Sequence, residues 1–324
     1  MRLQPVRVYF STMKVTLIHN PNAGNERQPS AKELTQLVRT HGYDVLYQSA
    51  EAENWTDCLD QSADLIAVAG GDGIVGNVAN RVVGRTVPLA VLPLGTANNI
   101  ARTLGIADIP LADLVAAWSH RRRIKIDAGV AVGPWGKANF IEGLGLGLFT
   151  QTMYRLDARD NIDLAHANDA EEKIVSVLWI MQERLESCPV KDLKLTIDGR
   201  DLSGRYLLLE AMNIKSVGPN LYLAPGADPT DGKVDIVVVR ETEKETLAGY
   251  LSACIRGAPC SAVFAVHRCR HLRLEWEGSV IHIDDAVWPD KGSSVPQTPS
   301  VTIEVKVHPG ALEFLTPPGV KPEI

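Results

Sequence analysis

From Lys14 onward the apolar residues fall into short runs divided by polar, glycine-bearing stretches, and the runs alternate between two periods. Residues 15–19, 43–47, 65–69 and 89–92 are runs of four or five residues with the length and composition of buried strands. Between the first two, Leu34, Leu37 and Val38 recur at helical spacing. Ser30 and Glu33 supply a capping box for that helix and Gly42 ends it. Val75, Val78, Ala79 and Val82 repeat the helical pattern after the third run. Strand and helix in alternation predict a parallel sheet covered by helices. Beyond Arg121, Arg122 and Arg123 the pattern changes to many short β runs separated by Gly, Pro and Asp-Gly turns, with Asp198-Gly199 placed as a hairpin turn. The exception is residues 171–185, where Ile174, Leu178, Met181 and Leu185 form a helical stripe of core character. An α/β domain followed by a β-rich domain, with the change at residues 124–128, is the expected organisation.

Three of the predicted strands run into polar loops that carry glycine: Asn20-Pro21-Asn22-Ala23-Gly24, Gly70-Gly71-Asp72-Gly73, and Pro93-Leu94-Gly95-Thr96-Ala97-Asn98-Asn99. In a parallel sheet such loops gather at the carboxyl edge, where ligands bind. Glycine lets backbone N–H groups approach a phosphate, and a following helix adds the positive end of its dipole. Each loop alone is also an ordinary tight turn into a helix; the set of three, with hydroxyl and carboxylate groups beside consecutive Gly and Asn, points to an anion or nucleotide site. Neither Walker A spacing nor a G-x-G-x-x-G fingerprint occurs in this domain.

A length of 324 residues suits two domains that each bury a core. A net charge of -6 argues against wholesale nucleic-acid binding. The cysteines Cys58, Cys188, Cys254, Cys260 and Cys269 are scattered without a C-x-x-C pair, which implies neither a disulfide framework nor a zinc site and fits a reducing cytoplasm. No apolar run approaches the roughly 18 residues of a membrane span, so a lipid partner would have to be met at the membrane surface. Met13, directly before the first strand, is a candidate start of the native chain. The oligomeric state stays open, a homodimer included.

Gly70-Gly71-Asp72-Gly73, then Pro93-Leu94-Gly95-Thr96-Ala97-Asn98-Asn99-Ile100-Ala101-Arg102, resemble the nucleotide-binding signatures of the diacylglycerol kinase catalytic-domain family, which includes bacterial lipid kinases and sphingosine-kinase-like members. Asn20-Pro21-Asn22-Ala23-Gly24 resembles its opening motif, and Ala224-Pro225-Gly226-Ala227-Asp228 through Asp231-Gly232-Lys233-Val234-Asp235 its second-domain signature. The resemblance implies a Rossmann-like, NAD-kinase-type α/β domain over residues 13–125, joined by 309–324, with a β-rich sandwich over 126–308. It implies an ATP-dependent lipid kinase with Mg2+, cytoplasmic and transiently at the membrane surface, acting on a diacylglycerol-like or sphingoid hydroxyl. Asn20, Gly24, Gly70, Gly71, Gly73, Gly95, Thr96 and Asn98 would hold the nucleotide, and Asp228 and Asp231 the metal. Asp284, with Asp72, would be catalytic; the family's late Asp-Gly-Glu motif stands here as Asp284-Asp285-Ala286, so Asp285 is the remaining candidate for the missing glutamate. Ile74 replaces a usual threonine, and Phe149, after Gly143-Leu144-Gly145-Leu146-Gly147-Leu148, replaces a usual aspartate. Two alternatives are a kinase of a soluble acceptor, as in NAD kinases, and a nucleotide- and lipid-binding regulator of weak catalysis.

Overall fold

Strands β1 (Lys14–His19), β2 (Asp44–Ser49), β3 (Leu65–Gly70) and β4 (Leu89–Pro93) form a parallel sheet in the order β2-β1-β3-β4. This computed structural model describes residues 12–24, 28–158, 169–258, 263–276, 278–289 and 301–324. All six residues of β3 are buried, as a central parallel strand requires. Helix α1 (Ala31–Thr40) carries the expected capping box: the Ser30 hydroxyl accepts from the Glu33 N–H, and the Glu33 carboxylate accepts from the Ser30 N–H. Helices α2 (Asp72–Val82), α3 (Asn99–Thr103) and α4 (Leu111–Ala117) follow β3 and β4.

The chain leaves this domain along β5 (Arg122–Gly133), which forms a hairpin with β6 (Gly136–Phe140) and leads into β7 (Gly143–Gly147). Helix α5 (Leu148–Ala158) and helix α6 (Ala170–Ser187) come next; α6 starts at an Asp169 cap and covers the predicted stripe. The rest is mainly antiparallel strands folded into a two-layer sandwich. Strand Gly204–Met212 lies between β7 and Val234–Arg240, and its other end pairs with Lys191–Ile197. Asp198 and Gly199, both at positive φ (45 and 81), form the predicted hairpin turn. Ala131, Phe140, Leu195, Tyr206, Leu272 and Ile303 fill the space between the layers, while α5, α6 and the helix Lys244–Ile255 cover the outer face.

One strand ties the two cores together. Val301–Thr316 runs antiparallel to β5 over most of its length and reaches β4 in parallel at Phe314. Ile303 and Val305 belong to the sandwich core; Leu312, Phe314 and Leu315 belong to the α/β core. The register shifts between His308 and Leu312, and there the buried Asp127 carboxylate accepts from the N–H groups of Gly310 (2.6 Å) and Gly232 (2.7 Å). Among the described residues no helix is long and apolar enough to cross a membrane.

Candidate active site at the carboxyl edge of the sheet

The loops after β1, β3 and β4 meet at one cleft of about 410 Å³, which Asn20, Gly24, Gly71, Gly73, Gly95 and Thr96 line. Gly71 and Gly95 cross so closely that a Cβ on Gly95 would collide with the Gly71 Cα. Gly95 admits no side chain and Gly71 leaves one very little room, so bare backbone forms that part of the wall. Helix α2 opens at Gly71, so its free N–H groups and positive dipole end are directed at the cleft. Glu51, Trp55 and Asn77 complete one side; Asp285 reaches over from the sandwich and stands against Gly73. Among the described residues, no Lys, Arg or His lines this wall. At the rim, Lys173 of α6 donates to the Gly24 carbonyl at 2.6 Å.

Two of the expected nucleotide contacts serve the loops instead of the cleft. Asn98, in the left-handed region at φ 53, folds its amide back onto its own loop, accepting from the Gly95 N–H and donating to the Gly95 carbonyl, both at 2.9 Å. Gly70 faces Ile74, which would meet any Cβ there. Arg102 donates to the Ala97 carbonyl at 3.1 Å, another bond within the same loop.

The Asp72 carboxylate does not enter the cleft. It accepts from the N–H groups of Asn99 and Ile100, each at 2.9 Å, and so caps α3 and ties the second loop to the third. Burial pushes its carboxyl above the usual range against the pull of these donors. Backbone N–H groups thus engage both oxygens of Asp72, and the catalytic role expected for it is not what these bonds require.

Asp284, the other expected catalytic residue, is engaged in a similar way. It is 6% exposed, sits at φ 50, and its carboxylate accepts from the N–H groups of Ile141, Glu142 and Gly143 at 2.9–3.2 Å and from the Asn80 amide at 3.2 Å. Burial pushes its carboxyl up to about 6, against these four donors. The adjacent Asp285 is open to solvent. Desolvation raises its carboxyl too, opposed by a bond from its own backbone N–H and by the charge of His282. Helix α2 receives this turn on one face: Gly73 meets Asp285, Gly76 meets Asp284, and Asn80 bonds Asp284, at the spacing that aligns residues on one side of a helix. Beneath lies Glu142, buried and hydrogen-bonded to the Asn99 amide (3.0 Å); burial and the charges of Asp72 and Asp284 hold its carboxyl well above the usual range.

The expected metal residues lie elsewhere. Asp228 accepts from the Thr230 N–H and hydroxyl within its own turn. Asp231 faces Lys233 (3.7 Å) and Arg268 (3.6 Å), and it borders a different hollow, with Arg270, His271 and Lys306. Cationic side chains already neutralise that loop, and neither aspartate is among the residues of the glycine cleft. Among the described residues no cluster of three His, Cys, Asp or Glu could hold a metal by itself. Phe149 is buried in the outer-face core with its ring edge on His282, 4.9 Å between centroids, so it packs beneath the site. Glu51 and Trp55 escaped the sequence reading because their loop carries no glycine motif; position after the second parallel strand was the available signal.

The fold and cleft agree with what the chain resembles. Residues 14–131 match the family described as "Diacylglycerol kinase catalytic domain", and residues 156–316 match "YegS C-terminal NAD kinase beta sandwich-like domain". The chain belongs to the diacylglycerol kinase catalytic-domain family, a family of lipid kinases. It is 23% identical to a diacylglycerol kinase of Mycobacterium tuberculosis over 94% of this chain and 95% of that one. It is 26% identical to a diacylglycerol kinase of Bacillus subtilis over 75% and 79%. A putative diacylglycerol kinase of Bacillus anthracis superposes with a TM-score of 0.71 at 23% identity, covering 95% of this chain and 99% of that one. Yeast NADH kinase, solved with NADH, superposes at 0.52 and 12% identity, covering 99% and 89%, and these two likenesses speak to the fold alone.

Proposed function

We propose that this chain transfers the γ-phosphoryl group of ATP to a lipid hydroxyl, with Asp285 as the carboxylate that orients and deprotonates the acceptor. The observation that carries the reading is the place of Asp285: it stands at the glycine cradle, solvent-open, while the backbone occupies Asp284 and Asp72. The cleft fits a polyphosphate, because its wall offers bare backbone, the start of α2 and the Thr96 hydroxyl. With Glu51 and Asp285 in that wall and no cationic side chain among the described lining residues, a cation accompanying the polyphosphate would offset the acidic charge. Magnesium suits this, since it commonly takes one or two carboxylates and completes its shell with phosphate and water. Bound there, Mg-ATP would supply the phosphoryl group and neutralise its oxygens.

The chain's own part is positional. The backbone at Gly71, Gly73 and Gly95 holds the phosphates, Asp72 keeps the second and third loops in one arrangement, and Asp284 fixes the turn that presents Asp285. A lipid acceptor is supported by the family and by exposed aromatic residues on the two helices α5 and α6, Tyr154 (39% exposed) and Trp179 (58%), the second of these helices reaching the cleft rim through Lys173. Diacylglycerol, named for the relatives, is the first acceptor to test.

The test is phosphoryl transfer from labelled ATP with magnesium to diacylglycerol, monoacylglycerol, sphingosine and undecaprenol in anionic mixed micelles, with NAD as a soluble alternative. A labelled lipid that disappears with Asp285→Asn supports the reading. Labelled NAD in place of lipid overturns the acceptor class. ATP binding without turnover on any acceptor overturns the enzyme reading in favour of a regulator.

A further inference from the structure

Strand β7 is flanked at Gly145 by Glu210 on one side and His282 on the other, each its direct cross-strand partner. Side chains two strands apart are ordinarily separated by the one between them. Here that side chain is absent: a Cβ on Gly145 would land on the Glu210 carboxylate. Through the gap Glu210 Oε2 meets His282 Nε2 at 2.7 Å, with both side chains fully buried. The other ring nitrogen, Nδ1, lies 2.9 Å from the carbonyl oxygen of Asp284. A carbonyl only accepts, so Nδ1 carries a proton and donates it. The pair then shares one further proton between Nε2 and Oε2. Phe149 lays its ring edge against the imidazole, and the Glu210 Oε1 has no partner among the described residues.

We propose that Glu210 and His282, meeting across Gly145, are positioning residues that clamp the Asp284 carbonyl and so aim Asp285 into the cleft. The inference rests on the role given to Asp285 above. It assigns a task to groups that the phosphoryl-transfer reading does not otherwise use: a buried carboxylate and imidazole are costly to enclose, and here the enclosure ends on the backbone of the proposed catalytic turn. The Asp284 peptide is held from both sides, by the imidazole on its carbonyl and by the Gly143 carbonyl on its N–H (2.8 Å). Gly145 is the price of admission for the pair, which gives the alternating glycines of β7 a reason beyond backbone freedom.

The experiment compares variants in the full chain, with Asp285→Asn as reference. His282→Phe keeps the packing against Phe149 and removes the donor to the Asp284 carbonyl. Its kcat should fall by about tenfold or more, with KM and calorimetric affinity for Mg-ATP nearly unchanged, as expected when a reacting group shifts by a fraction of an ångström. Glu210→Gln can donate its amide to Nε2 and keep Nδ1 protonated, so it should recover most of the turnover that Glu210→Leu loses. Gly145→Ala, which leaves both partners in place but displaces Glu210, should reproduce the loss. If His282→Phe does not fold, the Glu210 pair and Gly145→Ala carry the same comparison. In the wild type, imidazole ¹⁵N spectra should show the His282 Nδ1 protonated; a neutral ring with its proton on Nε2 alone overturns the clamp. Folded variants with normal kcat overturn it too, provided Asp285→Asn abolishes turnover. Full turnover in Asp285→Asn instead overturns the role of Asp285 itself.

Discussion

Two loops of this chain are rich in glycine and aspartate, and they use their carboxylates in opposite ways. In the Asp228 to Asp235 loop each aspartate is spoken for: Asp228 by Thr230, Asp231 by Lys233 and Arg268, and Asp235 by Arg268 at 3.4 Å. At the glycine cleft, Asp285 and Glu51 face a wall whose described residues include no basic side chain. Identical residue types therefore make a neutralised structural turn in one place and an uncompensated acidic site in the other. A magnesium-bearing polyphosphate has a reason to bind only where the charge is unmet.

The sharpest way to break this contrast is Asp285→Asn. We expect kcat to fall by about 10²- to 10³-fold while calorimetric affinity for Mg-ATP stays within a few-fold. The pH profile of the wild type sharpens it further. A base must be ionised, and the Asp285 carboxyl is raised above the ordinary value, so the acid limb of kcat should lie above the pH of about 3.9 typical of aspartate. A limb at or below that pH would remove Asp285 from the role of base.

Asp284→Ala is expected to act on stability instead. It strips three backbone N–H groups and the Asn80 amide of their buried acceptor, and denaturant unfolding should show a loss of about 3 kcal/mol or more. Full stability with lost turnover would return the catalytic role to Asp284. Gly95→Val should come next in size: its side chain collides with Gly71, parts the loops and raises the Kd for ATP by about tenfold or more. Asp231→Asn marks the small end. Its partners are partly solvent-exposed, so stability should change by less than about 1 kcal/mol, with the magnesium dependence of turnover untouched. A changed magnesium requirement would restore that loop as a metal site.

Much of the secondary structure was legible because its determinants are local. The Ser30–Glu33 capping box, the five-residue apolar runs and the helical stripe of α6 each specify an element within a few residues, and each is present. The meeting of the three glycine loops followed from the parallel sheet, whose strands must all end on one edge. The division of the chain at residues 125/126 and 308/309 is a proposal that the long closing strand complicates, since it serves both cores.

The sequence by itself determined the family, the order of the elements and the glycine cradle, because periodicity, caps and a missing Cβ act at short range. Only the tertiary structure decided which aspartate does what. Asp284 turns inward because its carboxylate accepts from the N–H groups of residues 141–143, far away in the chain, and at the next position Asp285 is exposed. Asp72 is taken by the start of α3. Glu210 and His282 meet because a glycine lies between their strands. Each of these choices is a hydrogen bond between residues tens to hundreds of positions apart, and the order of amino acids along a chain does not say which unpaired donor will find which acceptor once both are sealed from water.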